Sequence, residues 1–558
     1  MTKRKRWHDS YPEDVPVSIQ YDEKPLHSYL EEAADRYPHK TALHFMGKKM
    51  TYSQVYQEAS NLCGHLIKLG VTKGERIAVM LPNSPQAVIS YYAALMTGAI
   101  VVQTNPLYVE RELEHQMKDS GAKWIICLDL LYPRIKKIRN VTSLQHVIIT
   151  SLKDYLPFPK NVLYPLSQKK NNNRNRDTNN DKNVHSFRSL VKQGTTLKTN
   201  VVINPQEDLA LLQYTGGTTG TAKGVMLTHY NLVANALQCQ AWMSKMKKGE
   251  EKMLAVLPFF HVYGLTVVMN LSIMHVCQMI ILPKFDADLV LKSIHKHQVT
   301  LFPGAPTMYV GLIHTSSLKK YDLSSIEACI SGSAPLPGEV QDTFEALTHG
   351  RLVEGYGLTE GSPVITANPI WGGRKTGSIG IPWPDTDVCV YSSDGTSVLP
   401  AGEIGELAVR GPQVMKGYWN HPEETTSVFI DDWLLTGDMG YMDEDGYFYI
   451  SDRKKDMIVA GGFNIFPREV EEVLYEHPSV QEAAVIGVRD PYRGETVKAC
   501  IVRKKGESVT EEELDAFCRE HLAVYKIPRL FEFRQSLPKT TIGKVLKRKL
   551  LEEESHNE

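Results

Sequence analysis

The sequence lacks an excess of charge of either sign. In 558 residues, 63 Lys and Arg are balanced by 64 Asp and Glu, so the formal net charge is −1. A general nucleic-acid binder would carry a basic excess over the whole domain, so no nucleic-acid partner is expected. Gly and Pro, at 39 and 30 residues, are at average usage, which excludes collagen-like and low-complexity classes. The length and composition predict a large soluble enzyme of several domains.

Paired cysteines, a secretory signal and a membrane-spanning run are also missing. The eight Cys include no C-x-x-C pair and no metal-ligand spacing, which indicates reduced thiols in a cytoplasmic protein. The basic N-terminus, MTKRKRWHDSYPEDVPVS, is not followed by an apolar segment, so no secretory signal is expected. Residues 77–109 and 253–283 contain no Asp, Glu, Lys or Arg, but polar residues interrupt both runs. That pattern suits buried strands and helices better than a membrane span.

Short β-branched runs alternate with helical segments along the first half of the chain. RIAVML, WIICLD, HVIIT and MIILP resemble strands, whereas residues 84–97 and 288–297 have helical character. This alternation predicts an α/β class with layered, parallel sheets. Residues 377–449 change to turns and short strands, which predicts a small β-rich subdomain. An α+β pattern follows, with a helix at 467–476, strands at 481–487 and 497–503, and a helix from residue 511.

The sequence predicts a division into a body, a hinge and a lid. The body spans residues 1–451, the hinge 452–456, and the smaller, mobile α+β lid 457–558. Within the body, residues 167–183 contain 7 Asn in 17 residues and nothing apolar. Such a segment cannot bury a face, so a flexible surface insert is expected there.

The strongest motif is YTGGTTGTAKG at residues 214–224, directly after the apolar run LALLQ. Its glycines permit close backbone approach and expose N–H groups to an anion. Its threonine hydroxyls add donors, and Lys223 adds a cation suited to phosphate. The motif therefore predicts a polyphosphate-binding loop, although not a Walker A loop, because G-x-x-x-x-G-K-[ST] does not occur.

Four further motifs follow in order. They are VEGYGLTE at 353–360, LLTGDMGYMDEDGYFYISDRKKDMI at 434–458, GGFNIFPREVE at 461–471 and LPKTTIGKVLKR at 537–548. With the loop, they make the chain resemble the AMP-forming acyl-CoA synthetase family over almost its whole length, apart from the Asn-rich insert. VVQTNPLY, LPFFHVYGLT, LFPGAPTMY and SGSAPLP resemble the bacterial long-chain-fatty-acid–CoA ligases of that family more closely than its aryl or amino-acid branches.

The resemblance implies an activity, a fold and a set of substrates. The activity is ATP-dependent ligation of a long-chain fatty acid to coenzyme A through an acyl-adenylate, with release of pyrophosphate and AMP. The fold is that of adenylate-forming enzymes, and the cofactors and co-substrates are ATP, Mg²⁺ and CoA. Contact with a membrane surface and a homodimer are left open.

The resemblance also assigns roles to individual residues. Lys544, His261 and Glu360 are the expected catalytic residues, and Thr215 joins Glu360 as a Mg²⁺ ligand. The expected nucleotide-binding residues are Tyr214, Thr215, Gly216, Gly217, Thr218, Thr219, Gly220, Lys223, Gly332, Ser333, Ala334, Glu354, Gly355, Tyr356, Gly357, Leu358, Thr359, Asp438, Arg453 and Lys544.

Within this set the family assigns separate tasks. Tyr356, with Ser333 and Ala334, would form the adenine surface, where an aromatic face and small residues suit a flat base. Asp438 would accept the ribose hydroxyls, with Arg453 as a second ribose or α-phosphate contact.

The remaining roles concern the acyl group and CoA. Lys544 would bridge the substrate carboxylate and the α-phosphate, and His261 would lie beside that carboxylate. Lys455 is the expected hinge residue, and Gly461, Gly462 and Phe463 would bind CoA along its pantetheine arm.

Three alternatives stay open. A medium-chain or aryl acid could replace the long-chain substrate. An enzyme that adenylates acyl groups for a carrier protein would need a carrier domain, and the sequence ends soon after the last motif. A non-catalytic sensor would be expected to lose Lys544, Glu360 or Asp438, all of which are present.

Lys and Arg are concentrated near the C-terminus. Residues 525–549 contain eight of them against a single acidic residue, Glu532. We interpret this segment as positive charge placed around two nucleotide-bearing substrates.

Overall fold

The computed structural model describes residues 4–167, 181–194, 201–215, 222–392, 394–453, 456–460, 463–490, 494–540 and 544–555. Most of the predicted Asn-rich insert lies outside these ranges. The chain divides into two compact units. The larger unit comprises Tyr11–Asp387 and Arg410–Phe429, and the smaller unit Met1–Ser10, Val388–Val409 and Ile430–Glu558.

The strands in chain order are β1 (Thr41–Phe45), β2 (Lys48–Thr51), β3 (Arg76–Met80), β4 (Ile100–Gln103), β5 (Trp124–Leu128), β6 (His146–Thr150), β7 (Val184–Ser186), β8 (Leu209–Thr215), β9 (Lys223–Thr228), β10 (Lys252–Ala255), β11 (Gln278–Ile281), β12 (Ala328–Ser331), β13 (Arg351–Gly357), β14 (Val364–Ala367), β15 (Ile381–Pro382), β16 (Asp387–Tyr391), β17 (Gly405–Arg410), β18 (Gly417–Tyr418), β19 (Phe429–Ile430), β20 (Trp433–Met442), β21 (Phe448–Arg453), β22 (Ile458–Ala460), β23 (Phe463–Ile465), β24 (Val480–Asp490), β25 (Gly494–Arg503) and β26 (Leu530–Arg534).

The α-helices are α1 (Ser28–Arg36), α2 (Tyr52–Lys68), α3 (Pro85–Met96), α4 (Glu110–Ser120), α5 (Tyr132–Arg139), α6 (Lys160–Ser167), α7 (Phe187–Lys192), α8 (His229–Trp242), α9 (Leu271–Met274), α10 (Ala287–His297), α11 (Pro306–Ile313), α12 (Gly338–Thr348), α13 (Pro422–Ser427), α14 (Pro467–Glu476), α15 (Glu511–His521) and α16 (Lys547–Ser555). A π-helix covers Gly264–Asn270, and a 3-10 turn covers Thr359–Gly361.

The larger unit is built on three sheets. The main sheet has the order β18-β9-β8-β4-β3-β5-β6-β7, and its strands are parallel from β8 to β7. The other two have the orders β10-β11-β1-β2 and β12-β13-β14-β15. Parallel pairs joined by helices form the layers of an α/β protein, so the predicted fold class is confirmed.

Helix α3 explains the first charge-free run of the sequence. Pro85 occupies its first turn, and the Ser84 hydroxyl accepts a hydrogen bond of 3.3 Å from the Ala87 N–H, which caps the helix. All its residues are buried, so no face needs charge. None of the helices that the structure describes combines the length and apolar character needed to cross a membrane.

The smaller unit is built mainly on two sheets. One has the order β16-β17-β20-β19, with β21 beside β20, and the other β23-β22-β25-β24, with β26 beside β25. The second sheet buries its own apolar core together with α14 and α15. These elements confirm the predicted α+β pattern of the C-terminal region, while the boundary predicted at 452–456 stays a prediction.

Residues 377–449 do not form one body. Residues 377–387 and 410–429 belong to the larger unit, where β18 pairs with β9 of the main sheet. Residues 388–409 and 430–449 belong to the smaller unit. The short strands are present as predicted, but they divide between two units.

Candidate active site

The predicted phosphate loop connects β8 to β9. These strands are antiparallel, and Thr215 lies opposite Lys223 where the loop leaves one strand and enters the other. The loop residues themselves, Gly216, Gly217, Thr218, Thr219, Gly220 and Thr221, lie outside the described residues. Thr215 and Lys223 are therefore the described ends of the loop, and they are adjacent across the hairpin.

Tyr214 lies near the end of β8, just before the loop residues. Its ring is buried against Gly224, where an added Cβ would lie 3.1 Å from the ring, and its hydroxyl donates to the Asp119 carboxylate. Burial and this carboxylate raise the pKa of Tyr214. These contacts give Tyr214 a structural task, and its nucleotide contact stays a prediction.

Glu360 lies in the 3-10 turn that follows β13. Its Oε1 atom accepts a hydrogen bond of 2.8 Å from the Tyr418 hydroxyl. Its backbone oxygen accepts one of 2.7 Å from the Met415 N–H. Burial, followed by the negative charge of Glu360, raises the pKa of Tyr418, so the phenol remains a donor.

Lys223 contacts the same tyrosine. Its Nζ atom lies 5.3 Å from the centroid of the Tyr418 ring and 3.8 Å from Glu424 Oε1. Tyr418 therefore contacts both the predicted phosphate cation and the predicted metal carboxylate. Tyr418 is not among the residues predicted from the sequence, although the motif GYWN at 417–420 places it between glycine and tryptophan.

The oxygen donors of the predicted metal site suit a Mg²⁺ ion that takes its other ligands from a substrate. Glu360 offers a carboxylate and Thr215 a hydroxyl, and Mg²⁺ prefers oxygen ligands. Among the described residues no group of three or more His, Cys, Asp or Glu is placed to hold a metal. A cation that takes its other ligands from phosphates and water needs only one or two protein carboxylates.

The predicted adenine surface is assembled at the ends of β12 and β13. These strands are parallel, and Ser331 lies opposite Glu354. The buried Glu354 carboxylate accepts from the Leu336 N–H at 3.1 Å, which fixes the segment that carries Gly332, Ser333 and Ala334. The structure thus brings the segments SGSAP and EGYGLTE side by side.

Backbone packing requires small residues in the second of these segments. An added Cβ at Gly357 would lie 2.1 Å from the Pro363 oxygen, so no larger residue fits. Leu358 donates its N–H to the same oxygen at 3.0 Å, and Tyr356, half-buried, lies opposite Thr366 on β14. Gly357, Leu358 and Thr359 therefore form the backbone between Tyr356 and Glu360, and Gly355 directly precedes Tyr356.

His261 is half-buried in the loop before the π-helix Gly264–Asn270. Its Nδ1 atom accepts from the Tyr263 N–H at 3.3 Å. The Gln213 amide, on β8, donates to the Phe260 oxygen at 3.0 Å and so ties this loop to the strand that carries Thr215. A π-helix often marks a functional site, and the place predicted for His261 beside the substrate carboxylate stays a prediction.

The smaller unit holds the remaining predicted residues. Asp438 on β20 is buried, its N–H donates to the Thr436 hydroxyl at 3.1 Å, and it lies opposite Arg453 on β21. Lys544 is exposed, and its N–H donates to the Thr540 hydroxyl at 3.1 Å.

Phe463 begins β23, opposite Ala460 on β22. The predicted hinge residue Lys455 and the predicted CoA-binding residues Gly461 and Gly462 lie outside the described residues. The tasks assigned to them and to Phe463 stay predictions.

Two family comparisons cover most of the chain. The family described as AMP-binding enzyme matches residues 30–419, and its C-terminal domain matches residues 469–544. The chain belongs to the AMP-binding enzyme family. The predicted family and the adenylate-forming fold are thereby confirmed.

Relatives of this AMP-binding enzyme are similar to it along almost its whole length. A Bacillus subtilis protein named long-chain-fatty-acid–CoA ligase is 57% identical over 558 residues, which is 100% of this chain and 99% of the relative. A Salmonella typhimurium protein of the same name is 40% identical over 557 residues, covering 99% and 98%. The crystal structure of ATP-bound MatB from Rhodopseudomonas palustris, 30% identical, superposes with a TM-score of 0.84 and covers 95% of this chain and 99% of that one.

Proposed function

We propose that this AMP-binding enzyme ligates a long-chain fatty acid to coenzyme A through an acyl-adenylate, releasing pyrophosphate and AMP. The observation that carries the proposal is the similarity along the whole chain to proteins named long-chain-fatty-acid–CoA ligase. The family supports ATP and CoA as substrates.

The first half-reaction must bring two anions together. A fatty acid carboxylate attacks the α-phosphorus of ATP, and pyrophosphate leaves. Lys223 at the end of the loop and Lys544 in the smaller unit are the cations that we assign to this step, because catalysis here is mostly positioning and neutralisation of charge. Mg²⁺, held by Glu360 and Thr215 in this proposal, would supply further positive charge to the phosphates.

The second half-reaction replaces AMP by a thiol. The CoA sulfur attacks the carbonyl carbon of the acyl-adenylate, the bond from that carbon to the phosphate oxygen breaks, and AMP leaves. Asp438 and Arg453 would hold the ribose through both steps. Lys455 would act as the hinge on which the C-terminal region turns between them, and Gly461, Gly462 and Phe463 would bind the pantetheine arm.

The proposal includes a cellular setting. Because long-chain fatty acids partition into bilayers, we propose a cytoplasmic enzyme that meets its substrate at a membrane surface. Peripheral membrane contact and a homodimer stay predictions.

A chain-length series tests the substrate class. Pyrophosphate release and acyl-CoA formation are measured with C8, C12 and C16 fatty acids and with coumarate. Each added buried methylene contributes about 0.8 kcal/mol, so kcat/KM is expected to rise with chain length by up to about fourfold per methylene. Faster turnover of C8 or coumarate than of C16 would overturn the long-chain assignment and favour the medium-chain or aryl alternative.

A further inference from the structure

We propose that Tyr418 is a positioning residue that orients the Glu360 carboxylate for Mg²⁺ and couples it to Lys223. This inference rests on the proposed function, because it concerns the metal and phosphate groups of the same site. It assigns a task to a side chain for which the sequence analysis had none.

One short segment holds Glu360 at two points. We call residues 415–418 the clamp segment. The Met415 N–H donates to the Glu360 backbone oxygen at 2.7 Å, and the Tyr418 hydroxyl donates to Glu360 Oε1 at 2.8 Å. The backbone and the carboxylate of Glu360 are therefore held by the same short segment, and Tyr418 lies 58 residues further along the chain.

The clamp segment is itself paired with β9 and packed against Thr425. Tyr418 lies opposite Val225 on β9, and its N–H donates to the Thr425 hydroxyl at 2.9 Å. Gly417 has a φ of 143°, and an added Cβ there would lie 2.7 Å from the Thr425 methyl group. The backbone of Tyr418 is therefore fixed. Because the phenol cannot move far, its hydrogen bond restricts the position of the Glu360 carboxylate.

The ring of Tyr418 also contacts Lys223. The Lys223 Nζ atom lies 5.3 Å from the ring centroid, within the range of a cation–π contact. The Lys223 side chain is only 15% exposed, so the contact is partly shielded from water. Tyr418 thus sets the position of a phosphate cation relative to a metal carboxylate.

A carboxylate that accepts one hydrogen bond can still bind a metal ion. A carboxylate accepts at about four lone-pair sites, so the bond to Oε1 orients the group and leaves it able to bind a cation. Such outer partners typically change metal affinity or activity by about ten- to a hundredfold when they are removed. Tyr418 acts through Glu360 and is not itself a catalytic residue.

The test uses Tyr418→Phe in the full-length protein. This variant keeps the ring beside Lys223 and removes only the hydroxyl. The Mg²⁺ concentration for half-maximal pyrophosphate release is expected to rise about ten- to a hundredfold, with a smaller change in kcat at saturating Mg²⁺ and an unchanged KM for the fatty acid. Binding of Mn²⁺ with a non-hydrolysable ATP analogue, measured by electron paramagnetic resonance, should weaken to the same extent without turnover.

The chain offers a matched control. The Tyr29 hydroxyl donates to Asp22 Oδ2 at 2.8 Å, and the Lys24 Nζ atom lies 4.0 Å from the Tyr29 ring centroid. Tyr29→Phe removes the same kind of bond at a position outside the site. It should leave the Mg²⁺ dependence unchanged, whereas a similar shift in both variants would overturn the proposal.

A double variant distinguishes an effect of Tyr418 through Glu360 from an unrelated loss of Mn²⁺ binding. If Tyr418 acts through the carboxylate, Tyr418→Phe should add little to the loss of Mn²⁺ binding already caused by Glu360→Gln. A full additional loss in Tyr418→Phe/Glu360→Gln would contradict that route. The wild-type protein could ligate fatty acid to CoA while the Tyr418→Phe variant binds Mn²⁺ normally. That result would overturn the role of Tyr418 and leave the proposed function intact.

Discussion

Lys544 is an exposed cation whose predicted task belongs to only one of the two half-reactions. It lies next to residues 541–543, outside the described part, and its backbone is held by Thr540 through two hydrogen bonds. Since it would bridge the carboxylate and the α-phosphate, Lys544→Ala should slow adenylation by about 10²- to 10³-fold. Thioesterification of a supplied acyl-adenylate should stay nearly intact.

The two half-reactions can be measured separately with this variant. Pyrophosphate exchange reports the first, and acyl-CoA formation from synthetic acyl-adenylate reports the second. Lys505→Ala, which removes an exposed cation of the smaller unit outside residues 525–549, serves as the control and should change neither. Equal loss of both half-reactions in Lys544→Ala would contradict the task assigned to Lys544.

At the scale of single residues, the sequence motifs predict a role for Glu360 but none for Tyr418. Glu360 closes a motif of eight residues, so its neighbours in the chain identify it. Tyr418 acts on a carboxylate 58 residues away, and only folding brings the two together. A lone tyrosine in a two-residue strand carries no periodic pattern that would single it out.

At the scale of elements, α8 holds the residues that directly precede the clamp segment. The buried Asn231 amide donates to the oxygens of Pro412 and Val414, each at 2.9 Å, and its Oδ1 atom accepts from the Thr228 N–H at 2.9 Å. Asn231→Ala would leave two carbonyls without this donor and weaken the helix cap. We expect a loss of about 2–4 kcal/mol in unfolding free energy.

Thermal unfolding followed by calorimetry measures this loss as a lower melting temperature. Gln193→Ala, at an exposed position after α7, should stay within about 0.5 kcal/mol of the parent protein. An unchanged melting temperature for Asn231→Ala would mean that the segment from 412 to 418 is held by other contacts.

Element boundaries were predictable where local signals are strong. Helix α14 spans Pro467–Glu476, as predicted, because proline starts it and an apolar stripe continues it. The division of residues 377–449 between two units was not predictable in this way. It depends on β18 pairing with β9, a contact between strands distant in the chain.

At the scale of the whole molecule, the basic C-terminal segment is largely paired. Several of its Lys and Arg residues form ion pairs within the smaller unit, namely Lys526–Glu469, Arg534–Glu532, Arg534–Glu553, Lys539–Glu482, Lys547–Glu471 and Arg548–Glu552. Residues 525–549 contain eight cations and one acid because most of these acidic partners lie outside that range. Much of the positive charge therefore stabilises the fold and is not reserved for nucleotides.

The two units divide the predicted machinery. Glu360, Lys223 and Tyr418 belong to the larger unit, and Asp438 and Lys544 to the smaller. We assign both sets of residues to one reaction. In it the fatty acid carboxylate is first joined to AMP, and the acyl group is then transferred to the CoA thiol. An acyl-adenylate is the intermediate on which this assignment depends.

Oxygen transfer from a labelled substrate tests that intermediate most directly. Palmitate with both carboxylate oxygens replaced by ¹⁸O is converted with ATP and CoA, and the products are analysed by mass spectrometry. Attack of the carboxylate on the α-phosphorus predicts one ¹⁸O atom in each AMP, one in each acyl-CoA and none in pyrophosphate. Label in inorganic phosphate with formation of ADP, or AMP without label, would contradict the account.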